Sequence, residues 1–155
     1  MVAVLNDPEE VSTMAAIERT ASGVWQGDLK TGSGTISATS GVLRDAPFSY
    51  ATRFENARGT NPEELIAAAH AACYSMAFAN YLSGQGHRPL EISTRATISL
   101  ENGVIGKMHL ATQGRVPGMS DAAFKQHAAE AEKKCPVSNL LRNGLKISLE
   151  AKIEG

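Results

Sequence analysis

Apolar and polar positions change rhythm three times along this chain. The first half alternates in short runs punctuated by glycine. Ser22 to Gln26 carry strand residues that run into a turn at Gly27, and Gly32 to Gly41 place Thr35 and Ile36 between glycines. In Ser49 to Glu55, Tyr50, Thr52 and Phe54 share one face while Ala51, Arg53 and Glu55 share the other, which predicts a further strand. A charged Arg53 among strand residues is either a solvated edge or a placed functional group.

The rhythm then becomes helical. Asn61-Pro62-Glu63-Glu64 is a strong start: Asn61 suits the N-cap, Pro62 the first helical position, and Glu64 completes an N-x-x-E capping box. The helix should run to about Leu82, where Ser83-Gly84-Gln85-Gly86 ends it. It is apolar or small nearly all round, so it belongs in the centre of something.

Alternation returns from Ile92 to Leu100. Asn102-Gly103 reads as a hairpin turn, and Ile105 to about Arg115 as the return strand. Ser120-Asp121 opens an amphipathic helix ending near Lys134, Cys135-Pro136 looks like a second helix start, and Leu145 to Ile153 alternate as a last strand. Segregated strands and helices predict an α+β fold with antiparallel sheet. Residues 1–16 read as an N-terminal extension and 17–155 as one domain.

Composition narrows the function. The chain has 155 residues, 43% hydrophobic and 20% charged, an ordinary globular balance. Lys and Arg total 15 against 16 Asp and Glu, which leaves no basic face for nucleic acid. The N-terminal residues lack a charged n-region, and Asp7, Pro8, Glu9 and Glu10 interrupt any apolar run, so no secretory signal is read there. Leu65–Leu82 carries no Asp, Glu, Lys or Arg, but its alanines, His70, Ser75 and Asn80 suit a globular core better than a membrane. Two cysteines are too few for a secreted disulfide framework, and the expected compartment is the cytoplasm.

Those cysteines are the main chemical candidates. Cys73 lies mid-helix, where a free cysteine often acts as a small hydrophobe. Cys135 sits at a helix N-terminus behind Lys133 and Lys134, a setting that favours thiolate. His70 and Cys73 share a helix face, which allows a Cys-His hydrolase with His70 as base, but one face offers no oxyanion hole. A metal centre would need more ligands than His70, Cys73 and Cys135, so no metal is expected, and His70 better suits a core or interface histidine with a satisfied hydrogen bond. Glu63 lies in the first helical turn, where the helix dipole favours a carboxylate, yet the cap does not need it.

The string GTNPEELIAAAHAAC, residues 59–73, closely resembles the OsmC/Ohr family of thiol-dependent peroxidases. SGVL at 40–43, TRFE at 52–55 and CPVSNLL at 135–141 match in the same order, and the pairing of TRFE with HAAC resembles the OsmC branch more than the Ohr branch. The likeness spans roughly residues 17–153; the extra N-terminal residues and the short loop at Asn102-Gly103 depart from it without touching a motif. The resemblance implies an intertwined homodimer with long central helices between antiparallel β-sheets. It implies reduction of organic hydroperoxides in oxidative or osmotic stress defence, with no cofactor and an external dithiol reductant of lipoyl type. Matched motif by motif, Cys73 is the peroxidatic cysteine, Cys135 the resolving cysteine, and Arg53 and Glu63 the Arg-Glu pair. A family member with idle thiols, acting only as a binding or structural protein, is the alternative.

Physical chemistry gives those implied roles a rationale. Burial alone would make Cys73 an inert thiol, so a guanidinium, which keeps its charge when buried, should stand beside it. Glu63 can fix the plane of Arg53 by a bidentate bond. Ten residues separate Glu63 from Cys73, about 15 Å along a straight helix. Either the helix breaks between them, or Glu63 of one chain serves Cys73 of another. The apolar neighbours Tyr74, Met76 and Phe78 favour organic hydroperoxides over hydrogen peroxide.

Overall fold

A computed structural model describes residues 15–155. The N-terminal extension therefore lies almost wholly outside the described residues. The first strands follow the glycine punctuation. β1 (Ala21–Gln26), β2 (Ser33–Ala38) and β3 (Ala46–Phe48) form an antiparallel sheet in that order. Asp28 builds the β1–β2 turn: its Oδ1 accepts the Lys30 and Thr31 amides, each at 2.9 Å. Gly34 faces Phe48 across β2–β3, and the Phe48 ring occupies the space that a Cβ at Gly34 would need.

The segment after β3 is helical, which corrects the strand expected over Ser49–Glu55. α1 (Tyr50–Phe54) is set by a reciprocal cap: the Ser49 hydroxyl accepts from the Thr52 amide, and the Thr52 hydroxyl accepts from the Ser49 amide at 2.9 Å. Positions i and i+4 share a face in either period, so Tyr50 and Phe54 pair in the helix too, with ring centroids 4.9 Å apart.

α2 (Pro62–Gly84) starts where expected. Asn61 Oδ1 accepts from the Glu64 amide at 2.8 Å. The Glu64 carboxylate does not complete the expected capping box; it accepts from the Thr60 hydroxyl at 2.9 Å instead. Asn61 Nδ2 donates to the Thr52 carbonyl at 3.0 Å and so fastens α1 to the start of α2.

β4 (Glu91–Glu101) and β5 (Val104–Arg115) form the expected hairpin, and Asn102 and Gly103 both take positive φ, as its two-residue turn requires. α3 (Asp121–Lys134) and α4 (Pro136–Leu141) follow, and β6 (Lys146–Ile153) closes the second sheet in the order β4-β5-β6. β6 runs parallel to β5, a departure from the wholly antiparallel expectation. Two intervening helices return the chain to the end of the sheet where β5 began, and a connection of that length permits a parallel pair.

α2 lies on β4 and against α3 and α4. Tyr74, Phe78 and Leu82 from α2 meet Met108 and Leu110 from β5 and Phe124, Ala128 and Ala131 from α3 in one core. By length and composition α2 could cross a bilayer, but here it packs as the core helix of a globular fold. Among the described residues, only one side of it is covered. Ala68, Ala69, Ala72 and Met76 are exposed, Met76 at 74%. The β1–β3 sheet makes no comparably extensive contact with α2 or the second sheet, and all but one residue of β1 is exposed.

Candidate active site

The structure brings the four sequence-predicted residues together as two separate pairs. In the first, Cys73 from the middle of α2 meets Cys135 at the corner between α3 and α4, with Sγ atoms 3.5 Å apart. Both thiols are free; Cys73 is half-buried and Cys135 is fully buried. Cys135 is at once the C-cap of α3 and the N-cap of α4. Pro136 opens α4 behind it, and the Val137 amide donates to the Cys73 sulfur.

Burial pushes the Cys73 thiol up from its ordinary value. The Val137 amide pulls it down only in part, and the neighbouring Cys135 adds to the upward push. Within one chain Cys73 therefore stays protonated at neutral pH, and its reactivity requires a cation from elsewhere.

The second pair is Arg53 and Glu63. Arg53 ends α1 and Glu63 stands in the first turn of α2. The guanidinium grips the carboxylate through Nη2 to Oε1 at 2.7 Å and Nε to Oε1 and Oε2 at 3.1 and 3.3 Å. Glu63 is buried and Arg53 about one-third exposed, so the carboxylate fixes the plane of a guanidinium that still has an open face. That face borders a cavity of about 480 Å³ lined by Trp25, Leu29, Phe48, Tyr50, Phe54 and Pro62. Among the described residues, Arg53 is the one charged group lining it. Sequence patterning missed this pocket because its aromatic walls come from β1, β3 and α1, and the last of these was read as a strand.

Helix α2 runs unbroken from Glu63 to Cys73, so the two pairs stand about 15 Å apart along it. Arg53 is absent from the groups that act on the Cys73 thiol.

His70 turns away from Cys73 and takes a buried partner on α4. Its Nε2 bonds the Ser138 hydroxyl at 2.7 Å, with both residues fully buried, and the Cys73 sulfur has no part in that bond. Burial pushes the His70 pKa down and keeps the ring neutral. Its Nδ1 is buried without a hydrogen-bond partner among the described residues, which costs about 1–3 kcal/mol. Among the described residues, no group of three or more His, Cys, Asp or Glu side chains is arranged to hold a metal ion.

Residues 55–150 match the OsmC-like protein family. The chain belongs to this family. It is 42% identical over 132 residues to the peroxiredoxin OsmC of Escherichia coli (strain K12), covering 83% of this chain and 92% of that protein. With the organic hydroperoxide resistance protein of Xanthomonas axonopodis pv. citri (strain 306) it shares 30% identity over 97 residues, 59% of this chain and 66% of the other. The difference agrees with an OsmC-branch sequence. The fold is that of an organic hydroperoxide resistance protein from Elizabethkingia anophelis, at TM-score 0.68 and 23% identity over 91% of this chain and all of that one. An OsmC-like protein from Mycoplasma pneumoniae aligns at TM-score 0.69 and 18% identity, covering 92% and 100%.

Proposed function

We propose that this OsmC-family chain is a cysteine-based hydroperoxide reductase that works as a homodimer. The observation that carries the reading is the pair of reduced thiols at 3.5 Å, close enough to join and held on different elements. Cys73 attacks the terminal oxygen of a hydroperoxide as the thiolate. The O–O bond breaks, the alcohol leaves with a proton, and Cys73 becomes a sulfenic acid. Cys135 then attacks the Cys73 sulfur, water departs, and a disulfide remains for an external dithiol, of lipoyl type, to reduce.

Arg53 supplies the positive charge that the thiolate and the departing oxyanion need, and Glu63 orients it. With α2 unbroken, the Arg53–Glu63 pair of one protomer acts on Cys73 of its partner. The uncovered alanine face of α2 and the exposed first sheet are the surfaces such a dimer would bury. The apolar pocket beside Arg53 suits an organic hydroperoxide, in keeping with the names of the relatives. Two free thiols suit the reducing cytoplasm, and residues 17–155 act as one domain.

Dithiol-driven turnover of an alkyl hydroperoxide tests the reading. The parent should turn over while losing and regaining two thiols per chain, and Cys73→Ser should abolish activity. Thiols that survive a peroxide excess would leave a binding or structural protein.

A further inference from the structure

Two of the side-chain contacts between α2 and the α3–α4 corner share one spacing. Cys73 meets Cys135 at 3.5 Å, and His70 meets Ser138 at 2.7 Å. His70 stands three residues before Cys73, and Ser138 three residues after Cys135, so the contacts lie one helical turn apart like rungs. We propose that the His70–Ser138 rung is a positioning device for disulfide closure, holding α4 against α2 so that Cys135 stays within reach of Cys73.

Three observations support it, and all rest on the functional reading above. First, α4 has six residues, too few to be a stable helix alone, so its place depends on side-chain ties. Its other side-chain hydrogen bonds run to α3: Arg142, at its C-cap, to Glu132 at 2.9 Å and Asn139 to the Lys133 carbonyl at 3.1 Å. Second, the His70 ring is aimed at Ser138 even though this leaves Nδ1 buried and unmatched. Third, closure must shorten the sulfur separation from 3.5 Å to about 2.05 Å, so α4 must be held close and still yield slightly. In that step the Cys73 S–O bond breaks, the S–S bond forms, and the Cys135 thiol proton leaves with the hydroxyl as water.

The test is a single turnover with one equivalent of tert-butyl hydroperoxide on full-length parent, Ser138→Ala, His70→Leu and the double variant, each checked for folding by circular dichroism. Sulfenic acid is trapped with dimedone and free thiols are counted over time. Ser138→Ala should form sulfenic acid at the parent rate and close the disulfide about tenfold more slowly, the effect of one lost hydrogen bond. The apolar double variant, which refills the space, should be no slower than Ser138→Ala. Excess peroxide should then drive a sulfinic fraction that the parent does not accumulate. Closure at the parent rate in Ser138→Ala and in the double variant overturns the inference. So does an equal slowing of both steps, which marks a purely structural bond. A parent that loses no thiol to peroxide overturns the functional reading, and this inference with it.

Discussion

Glu63 and Cys73 occupy one unbroken helix, and the guanidinium that grips Glu63 plays no part in the environment of Cys73. Each half of the catalytic apparatus is complete in itself. Thiol and resolving thiol are in contact, and cation and carboxylate are in contact. What the single chain lacks is the meeting of the two halves, which the proposed two-fold pairing of α2 helices would supply.

Removing the cation should separate the chemical steps. Arg53→Ala is expected to slow sulfenic acid formation by about 10²–10³-fold, the usual loss when one donor to a developing oxyanion is deleted. Closure of the disulfide, in which Arg53 takes no part, should keep its rate. Stopped-flow intrinsic fluorescence of Trp25, Phe48's neighbour at 5.4 Å, combined with thiol counting, checks both.

Cys135→Ser should still consume one equivalent of hydroperoxide and then stop. The expected product is a persistent sulfenic acid at Cys73, which mass spectrometry reads as one added oxygen. More peroxide should carry it to sulfinic acid.

Acid should weaken the fold partly through His70. Burial lowers its pKa in the folded chain, whereas the unfolded chain titrates at the ordinary value of 6.5. The neutral ring is matched to the folded state, so this contribution is complete above 6.5 and is lost as pH falls below it. Urea midpoints measured from pH 8 to pH 5 should fall for the parent, and fall less for His70→Leu.

Gly34→Ala tests the wall of the pocket. A methyl at this position collides with the Phe48 ring and stands 2.7 Å from the Val24 carbonyl oxygen. The substitution should cost about 1–3 kcal/mol of stability, as overpacking does. It should also raise KM for an alkyl hydroperoxide by displacing Phe48 from the cavity beside Arg53, while leaving hydrogen peroxide reduction unchanged. Thermal melts and substrate titrations read the two effects.

Local chemistry was readable wherever it was self-contained. Asn61-Pro62 capped α2, Asn102-Gly103 turned the β4–β5 hairpin, and Ser120 capped α3 by accepting the Ala123 amide at 3.2 Å. Seven residues were too few to separate the two periods at Ser49–Glu55, and the Ser49–Thr52 cap decided for helix. The direction of β6 depended on how α3 and α4 return the chain, which no pattern within β6 encodes. The four candidate site residues are named by family likeness alone. Their ten-residue gap poses a broken helix against a shared site, and α2 is unbroken between Glu63 and Cys73. His70 is a buried histidine with a hydrogen-bonded ring nitrogen, as its setting suggests, but the identity of its partner is not legible because Ser138 lies far along the chain.

Mixing two inactive variants tests the composite site most directly. Cys73→Ser keeps Arg53, and Arg53→Ala keeps Cys73. Purified, mixed and reassorted through reversible dissociation, half of the dimers carry one chain of each kind. If Arg53 serves the Cys73 of its partner, each mixed dimer holds one intact site, and peroxidase activity returns to about a quarter of the parent's. If Arg53 serves the Cys73 of its own chain, every site in the mixture is damaged. Activity that stays at the sum of the two separate variants would contradict the account.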